Sequence, residues 1–98
     1  MKRPSYVKPQ SLDDRRQYRL TDLFDYFTVS EHERTVFLWC LENEGVPSVD
    51  ASNNFKIGNE WFLQFVRFRQ WYAGMQRRGT FLKTVAELEA ERAAETSR

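Results

Sequence analysis

The chain has 98 residues, 41% of them hydrophobic and 15% aromatic, with a formal net charge of +1 and a single cysteine. That length fits one domain. The lone Cys40 excludes an intramolecular disulfide, which fits a reducing cytoplasm, and no apolar run is long enough for a secretory leader or a membrane span. The small net charge conceals segregation. Residues 1–20 carry six basic and two acidic side chains, 21–55 one and seven, 56–83 six and one, and 84–98 two and four. Blocks of this kind predict a surface with distinct electrical faces.

Residues 1–10, with two prolines, three basic side chains (Lys2, Arg3, Lys8) and no periodicity, predict a flexible basic arm. Ser11 and Asp14 have the spacing of a capping pair for a short helical turn. Thr21 is placed to cap a short helix with Leu23, Phe24 and Phe27 on one side. After a tight turn at Val29 and Ser30, the spacing Ser30-x-x-Glu33 is a capping box. Glu31 and Glu33 then lie where the helix dipole favours negative charge. The second helix is predicted over 31–43, with Val36, Phe37, Cys40 and Leu41 as its apolar stripe. Gly45 is expected to end it in the left-handed conformation, with Pro47 just beyond. Glu42 and Glu44, at the end where the dipole disfavours them, have no local structural reason.

"VPSVDASNNFKIG" predicts a β-hairpin with strands at 46–50 and 55–58 and its turn at 51–54. A long helix is predicted over 59–79, capped by Asn59 and ended by Gly79. Trp61, Phe65, Phe68, Tyr72 and Met75 form one seam, able to serve the core or a dimer contact, and Arg67, Trp71, Gly74 and Arg78 lie opposite. Thr80 is expected to cap a last helix over 80–98 with frayed final turns and with Phe81, Leu82, Val85 and Leu88 on one face. The fold expected is mainly α with a small β-hairpin. It is a winged helix-turn-helix-like single domain at 11–79, preceded by the arm and followed by an added C-terminal helix.

Residues 19–68 resemble the excisionase or recombination-directionality-factor group, relatives of the MerR-type winged helix. The matching pieces are Leu20-Thr21, Val29-Ser30, Arg34-Thr35-Val36 and Trp39, Gly45-Val46-Pro47, and Ile57 with Trp61-Phe62. The resemblance implies a non-enzymatic, architectural DNA-binding accessory protein of phages or other mobile elements. Its second helix would read the major groove of double-stranded DNA while its wing touches the minor groove or backbone, with Arg34, Thr35, Asn53, Asn54 and Lys56 as contacts. It also implies a protein partner such as a recombinase or polymerase. The second helix departs from that group's basic pattern, with Glu31, Glu33, Glu42 and Glu44 against one Arg34. Affinity for phosphates comes from cations. The charge is therefore expected from Lys2, Arg3, Lys8, Arg15 and Arg16, or from Arg67, Arg69, Arg77 and Arg78.

A second reading is a small phage-type adaptor or inhibitor that occupies a host protein through an acidic helix (Glu42, Glu44) and a patch of Arg67, Trp71 and Arg78. Tryptophan and arginine are the residues that interface hot spots enrich. Catalysis is not expected. His32 and Cys40 are the only residues of their types, no pair has metal spacing, and Gly45, Gly58, Gly74 and Gly79 form no phosphate loop. No cofactor is expected.

Overall fold

The computed structural model describes residues 12–96. A turn at 13–16 leads into β1 (Gln17–Arg19) and α1 (Leu20–Tyr26). There follow α2 (Glu31–Glu44), a 3-10 turn (Ser48–Asp50), β2 (Phe55–Ile57), β3 (Glu60–Gln64), α3 (Phe65–Arg77), a second 3-10 turn (Thr80–Leu82) and α4 (Val85–Thr96). The result is a mostly helical domain with a three-stranded antiparallel sheet in the order β1-β3-β2. Tyr18 stands opposite Leu63 on one side of β3, and Lys56 opposite Trp61 on the other.

The hairpin therefore lies one strand later than the sequence predicts. Pro47 has no N–H to give a ladder, and the chain after it coils into the 3-10 turn. Gly58 makes the reversal between β2 and β3 with φ +63, a conformation that side-chain-bearing residues rarely adopt. The predicted helix 59–79 is likewise corrected. Its first residues form β3, with Trp61 and Leu63 buried and Glu60, Phe62 and Gln64 half-buried, and the helix begins at Phe65. Both periods are present in "EWFLQF". Period 2 wins because β3 finds a strand partner on each side, whereas a helix there would leave β1 and β2 unpaired.

Other boundaries shift for local reasons. Ser11 lies outside the described residues, so the capping pair proposed for it does too. Asp13 makes an Asx turn, its carboxylate accepting from Arg15 N–H at 3.0 Å. Arg19, not Thr21, precedes α1, and the Thr21 hydroxyl instead donates to Glu60 at 3.3 Å. Ser30 caps α2, its Oγ accepting from Glu33 N–H at 3.2 Å, while the Glu33 carboxylate of the predicted capping box bonds the Tyr72 hydroxyl instead. Gly45 ends α2 at φ +77 but ψ −177, an extended mirror-image conformation rather than the left-handed helical one, and one essentially confined to glycine. Thr84, not Thr80, caps the last helix. Its Oγ1 accepts from Glu87 N–H at 3.1 Å, and Glu87 accepts from Thr84 N–H at 2.8 Å. Leu82, expected on the buried face, is 88% exposed.

The core joins Leu20, Leu23 and Phe24 of α1, Val36, Phe37, Cys40 and Leu41 of α2, Trp61 and Leu63 of β3, and Phe65, Phe68 and Met75 of α3. Phe81 and Leu88 close it from the C-terminal side. The helical seam from Phe65 to Met75 is thus spent on this core. At its centre Phe37 meets Phe24 edge-on at 5.7 Å and Phe68 at 5.3 Å between ring centroids. Thr28, in the turn between α1 and α2, takes φ +52. The turn is fastened by Val29 N–H to Phe24 O at 2.9 Å.

Candidate functional site

The face formed by α2 and the β2–β3 hairpin collects most of the residues singled out in the sequence. Arg34 is on α2, but its guanidinium turns inward. It donates to Val29 O at 2.8 Å, to Asp25 Oδ1 at 3.1 Å and to Phe24 O at 3.4 Å, and it lies over the Phe24 ring. Both carbonyls belong to the α1–α2 turn, and Phe24 O also takes the Val29 N–H, so Arg34 is part of the fold's fastening. Thr35 is exposed and donates to Glu31 O one turn back. Lys56 reaches across from β2 to Glu42 at 2.6 Å.

Glu42, for which the sequence offers no local reason, also accepts the Trp61 indole N–H at 3.0 Å. Lys56 and Trp61 together hold its carboxyl below the usual carboxylate range. Because this pKa is lowered on folding, the ion pair adds stability above the ordinary carboxylate pKa, and that stability is lost as pH falls through the depressed value. The Glu33 carboxylate accepts from the Tyr72 hydroxyl at 2.6 Å. Glu44 is exposed, with no side-chain hydrogen bond or ion pair among the described residues.

Asn54 is 2% exposed and therefore out of a macromolecule's reach. Its amide donates to Asp50 O at 3.0 Å and accepts from Gln64 N–H at 2.9 Å. Asn53 is exposed at the surface, its carbonyl taking the Gln17 amide at 3.1 Å. Arg67 is bound to Asp50 through Nε at 3.0 Å and Nη2 at 2.8 Å. Arg69 pairs with Asp14 at 2.8 Å. Arg15, Arg16, Arg77 and Arg78 are in no ion pair among the described residues, though Arg16 lies over the Tyr18 ring. Lys2, Arg3 and Lys8 lie outside the described residues. The cations expected to meet phosphate on α2 and the hairpin are thus already partnered by carboxylates or carbonyls.

Two clefts flank α2. The larger, about 240 Å³, lies between α1, α2 and the hairpin tip. Leu20, Phe24 and Trp61 are buried beneath it, Leu38 is 37% exposed in it, and Glu31 and Glu60 stand on its two sides. The smaller, about 160 Å³, lies where the C-terminal ends of α2 and α3 meet and is lined by Cys40, Glu44, Trp71, Gly74, Arg77 and Arg78. Trp71 packs partly against the core there, and the arginines stand where helix dipoles favour cations. The proposed partner patch is therefore split. Trp71 and Arg78 share this cleft, Arg67 is spent on Asp50, and Glu42 is on the other side with Lys56.

Neither His32 nor Cys40 has the setting of a reactive group. His32 Nε2 lies 3.0 Å from Phe81 O, where the Nε2–H tautomer donates to that carbonyl. Burial, and then the nearby Glu44, push the Cys40 thiol up to about 11 against the opposing pull of Arg78. Tyr72 is pushed up to about 12 by burial and by its bond to Glu33. Both groups keep their protons more tightly when folded. Their contribution is complete below the ordinary values of 9.0 and 10.0 and is lost as pH rises toward 11 and 12. Urea midpoints are therefore expected to hold to pH 9 and to fall steadily above it. The Cys40→Ala and Tyr72→Phe variants should each flatten part of that fall. The native thiol is also expected to resist an aromatic disulfide reagent at pH 8 and to react fully in denaturant. No cluster of three or more His, Cys, Asp or Glu side chains among the described residues is placed to hold a metal ion. No helix among them is long and apolar enough to cross a membrane. In comparisons with known proteins, no family, no curated sequence and no solved structure matches this chain.

Proposed function

We propose that this chain is a non-enzymatic adaptor or inhibitor that uses its α2–hairpin face to bind a protein. One observation carries the reading: the only cation of α2, Arg34, is folded against Asp25, and the only cation of the hairpin, Lys56, is paired with Glu42. What that face then presents is Glu31, Glu60 and the partly exposed Leu38. A phosphate backbone gains affinity from each cation that displaces its counterions, and fixed carboxylates work against it. A protein surface with basic and apolar side chains suits the same face.

A specific observation favours a second reading, an excisionase-like DNA-binding accessory protein. Two helices joined by a tight turn are followed by a hairpin whose second strand pairs with the strand before α1, an order that resembles the winged helix-turn-helix. On that reading the phosphate contacts fall to Arg15, Arg16 and the arm residues Lys2, Arg3 and Lys8, and the partners are duplex DNA with a recombinase or polymerase.

Binding to random duplex DNA from 25 to 200 mM salt decides between them. The protein-binding reading expects no measurable binding, or a log–log slope shallower than about −1. A slope of about −3 or steeper, which corresponds to three or more neutralised phosphates, overturns it in favour of the DNA reading.

A further inference from the structure

We infer that the cleft between α2 and the hairpin tip is a docking groove for a short peptide segment that sets a lysine or arginine beside an apolar side chain. This rests on the protein-binding reading and gives its partner a chemistry. The apolar part of the groove is fixed by the fold. Leu20 and Phe24 of α1 and Trp61 of β3 are core residues whose edges form its floor, and Leu38, on the outward side of α2, adds a 37% exposed aliphatic wall. A leucine there meets water unless something covers it.

The polar part is one-sided in charge. Glu31 enters from the first turn of α2 and forms no side-chain bond or ion pair among the described residues. Glu60 enters from β3 and takes only the Thr21 hydroxyl, at 3.3 Å. Arg34 also borders the groove, but its charge is answered by Asp25 at 3.1 Å. The side chains of Thr35 and Asn59 complete the rim without adding charge. An acidic or phosphate-bearing segment would therefore be repelled, and a purely apolar one would leave two carboxylates beside it with no counter-charge. A cation next to an aliphatic or aromatic side chain satisfies both halves. At about 240 Å³ the groove takes one such pair of side chains, not a folded surface.

The test uses the full chain and two fluorescein-labelled ten-residue peptides, one alternating lysine with leucine and one alternating glutamate with leucine. Anisotropy at 50 mM salt is expected to show saturable binding of the lysine peptide alone. The Trp61 indole resonance should shift in nitrogen–proton spectra while that of Trp71 stays. The double variant Glu31→Gln/Glu60→Gln should weaken binding about five- to tenfold, roughly the sum of two partly exposed charge contacts. Leu38→Ala should weaken it further. The control Glu89→Gln/Glu95→Gln removes the same charge from α4 and should change nothing, with circular dichroism confirming that every variant folds. Equal weakening by the groove and α4 variants, or a shift at Trp71 instead of Trp61, overturns the groove while leaving protein binding in place. Failure of the lysine peptide to bind also overturns it. If duplex DNA then binds with a steep salt slope, the protein-binding reading falls as well.

Discussion

Phe37→Ala is expected to leave the protein largely unfolded at 37 °C. Phe37 is fully buried and, among the described residues, is the one ring in contact with both Phe24 of α1 and Phe68 of α3, so three helices close on it. Phe24 and Phe68 also meet each other at 6.2 Å. Truncating such a ring removes its transfer energy and leaves a cavity that three helices cannot all collapse into, a loss of about 3–5 kcal/mol. A domain of this length holds about 5–15 kcal/mol in total. Differential scanning calorimetry should show Tm falling by about 15–30 °C or the transition vanishing. Phe37→Leu keeps most of the volume and should lose far less, about 1–2 kcal/mol. The exposed Leu82→Ala and Val49→Ala, at 88% and 84% exposure, should leave Tm unchanged within error. A Phe37→Ala protein that melts within about 5 °C of the parent would mean that the three helices are not held through this ring.

The elements that could be read in advance are those whose signals are local. α2 was legible because Ser30, Glu33 and the stripe Val36, Phe37, Cys40 and Leu41 all lie within one short stretch of chain, and each needs only the helix itself to make sense. The same holds for the burial of Cys40 on that stripe. β1 and β3 were not legible, because strand identity in "QYR" and "EWFLQ" comes from each other and from β2, not from their own few residues. "EWFLQF" fits both periods, and only the long-range pairing breaks the tie.

The site was legible in sign but not in detail. The excess of carboxylates on α2 was visible in the sequence. That Glu42 answers Lys56 and Trp61, and Glu33 answers Tyr72, depends on separations of 14, 19 and 39 residues. The resemblance to the excisionase group implies Arg34 as a contact residue. Its partners are two carbonyls of the α1–α2 turn, Val29 O and Phe24 O, and the Asp25 beside them. Glu60, inside a span that reads as helix, gave no sign that it would stand across a groove from Glu31.

Asn54→Ala is expected to be the most damaging polar substitution, although the position reads as part of an exposed turn. Nothing in "ASNNFK" separates Asn53 from Asn54. The fold places Asn53 outside and Asn54 inside, where one amide ties two backbone groups together, Gln64 N–H and an Asp50 O that also takes the Asn53 N–H. Asp50 O belongs to the 3-10 turn, and Gln64 N–H to the junction of β3 with α3. Arg67, one turn into α3, closes the ring by binding the Asp50 carboxylate. Alanine leaves Gln64 N–H without a partner, at about 1–3 kcal/mol, and takes from Asp50 O the second of its two bonds, at about 0.5–1.5 kcal/mol, because Asn53 N–H still reaches that carbonyl at 3.1 Å. We therefore expect a loss of about 1.5–4.5 kcal/mol by urea titration and a Tm lower by at least about 6 °C. Asn54→Asp separates the two bonds. It still accepts from Gln64 N–H but loses the donor to Asp50 O and sets a second carboxylate near Asp50. Its deficit at pH 7 should match or exceed that of alanine. A carboxyl in that position has its pKa raised by burial and by Asp50, so the folded state takes up a proton more readily than the unfolded one. The Asn54→Asp variant should therefore recover part of its stability as pH falls from 7 to 5, where the protonated acid can again donate to Asp50 O, and the alanine variant should not. If both variants unfold at the parent's urea midpoint, the loop from Ser48 to Asn54 is not fastened through this side chain, and the hairpin that forms one wall of the groove needs another anchor.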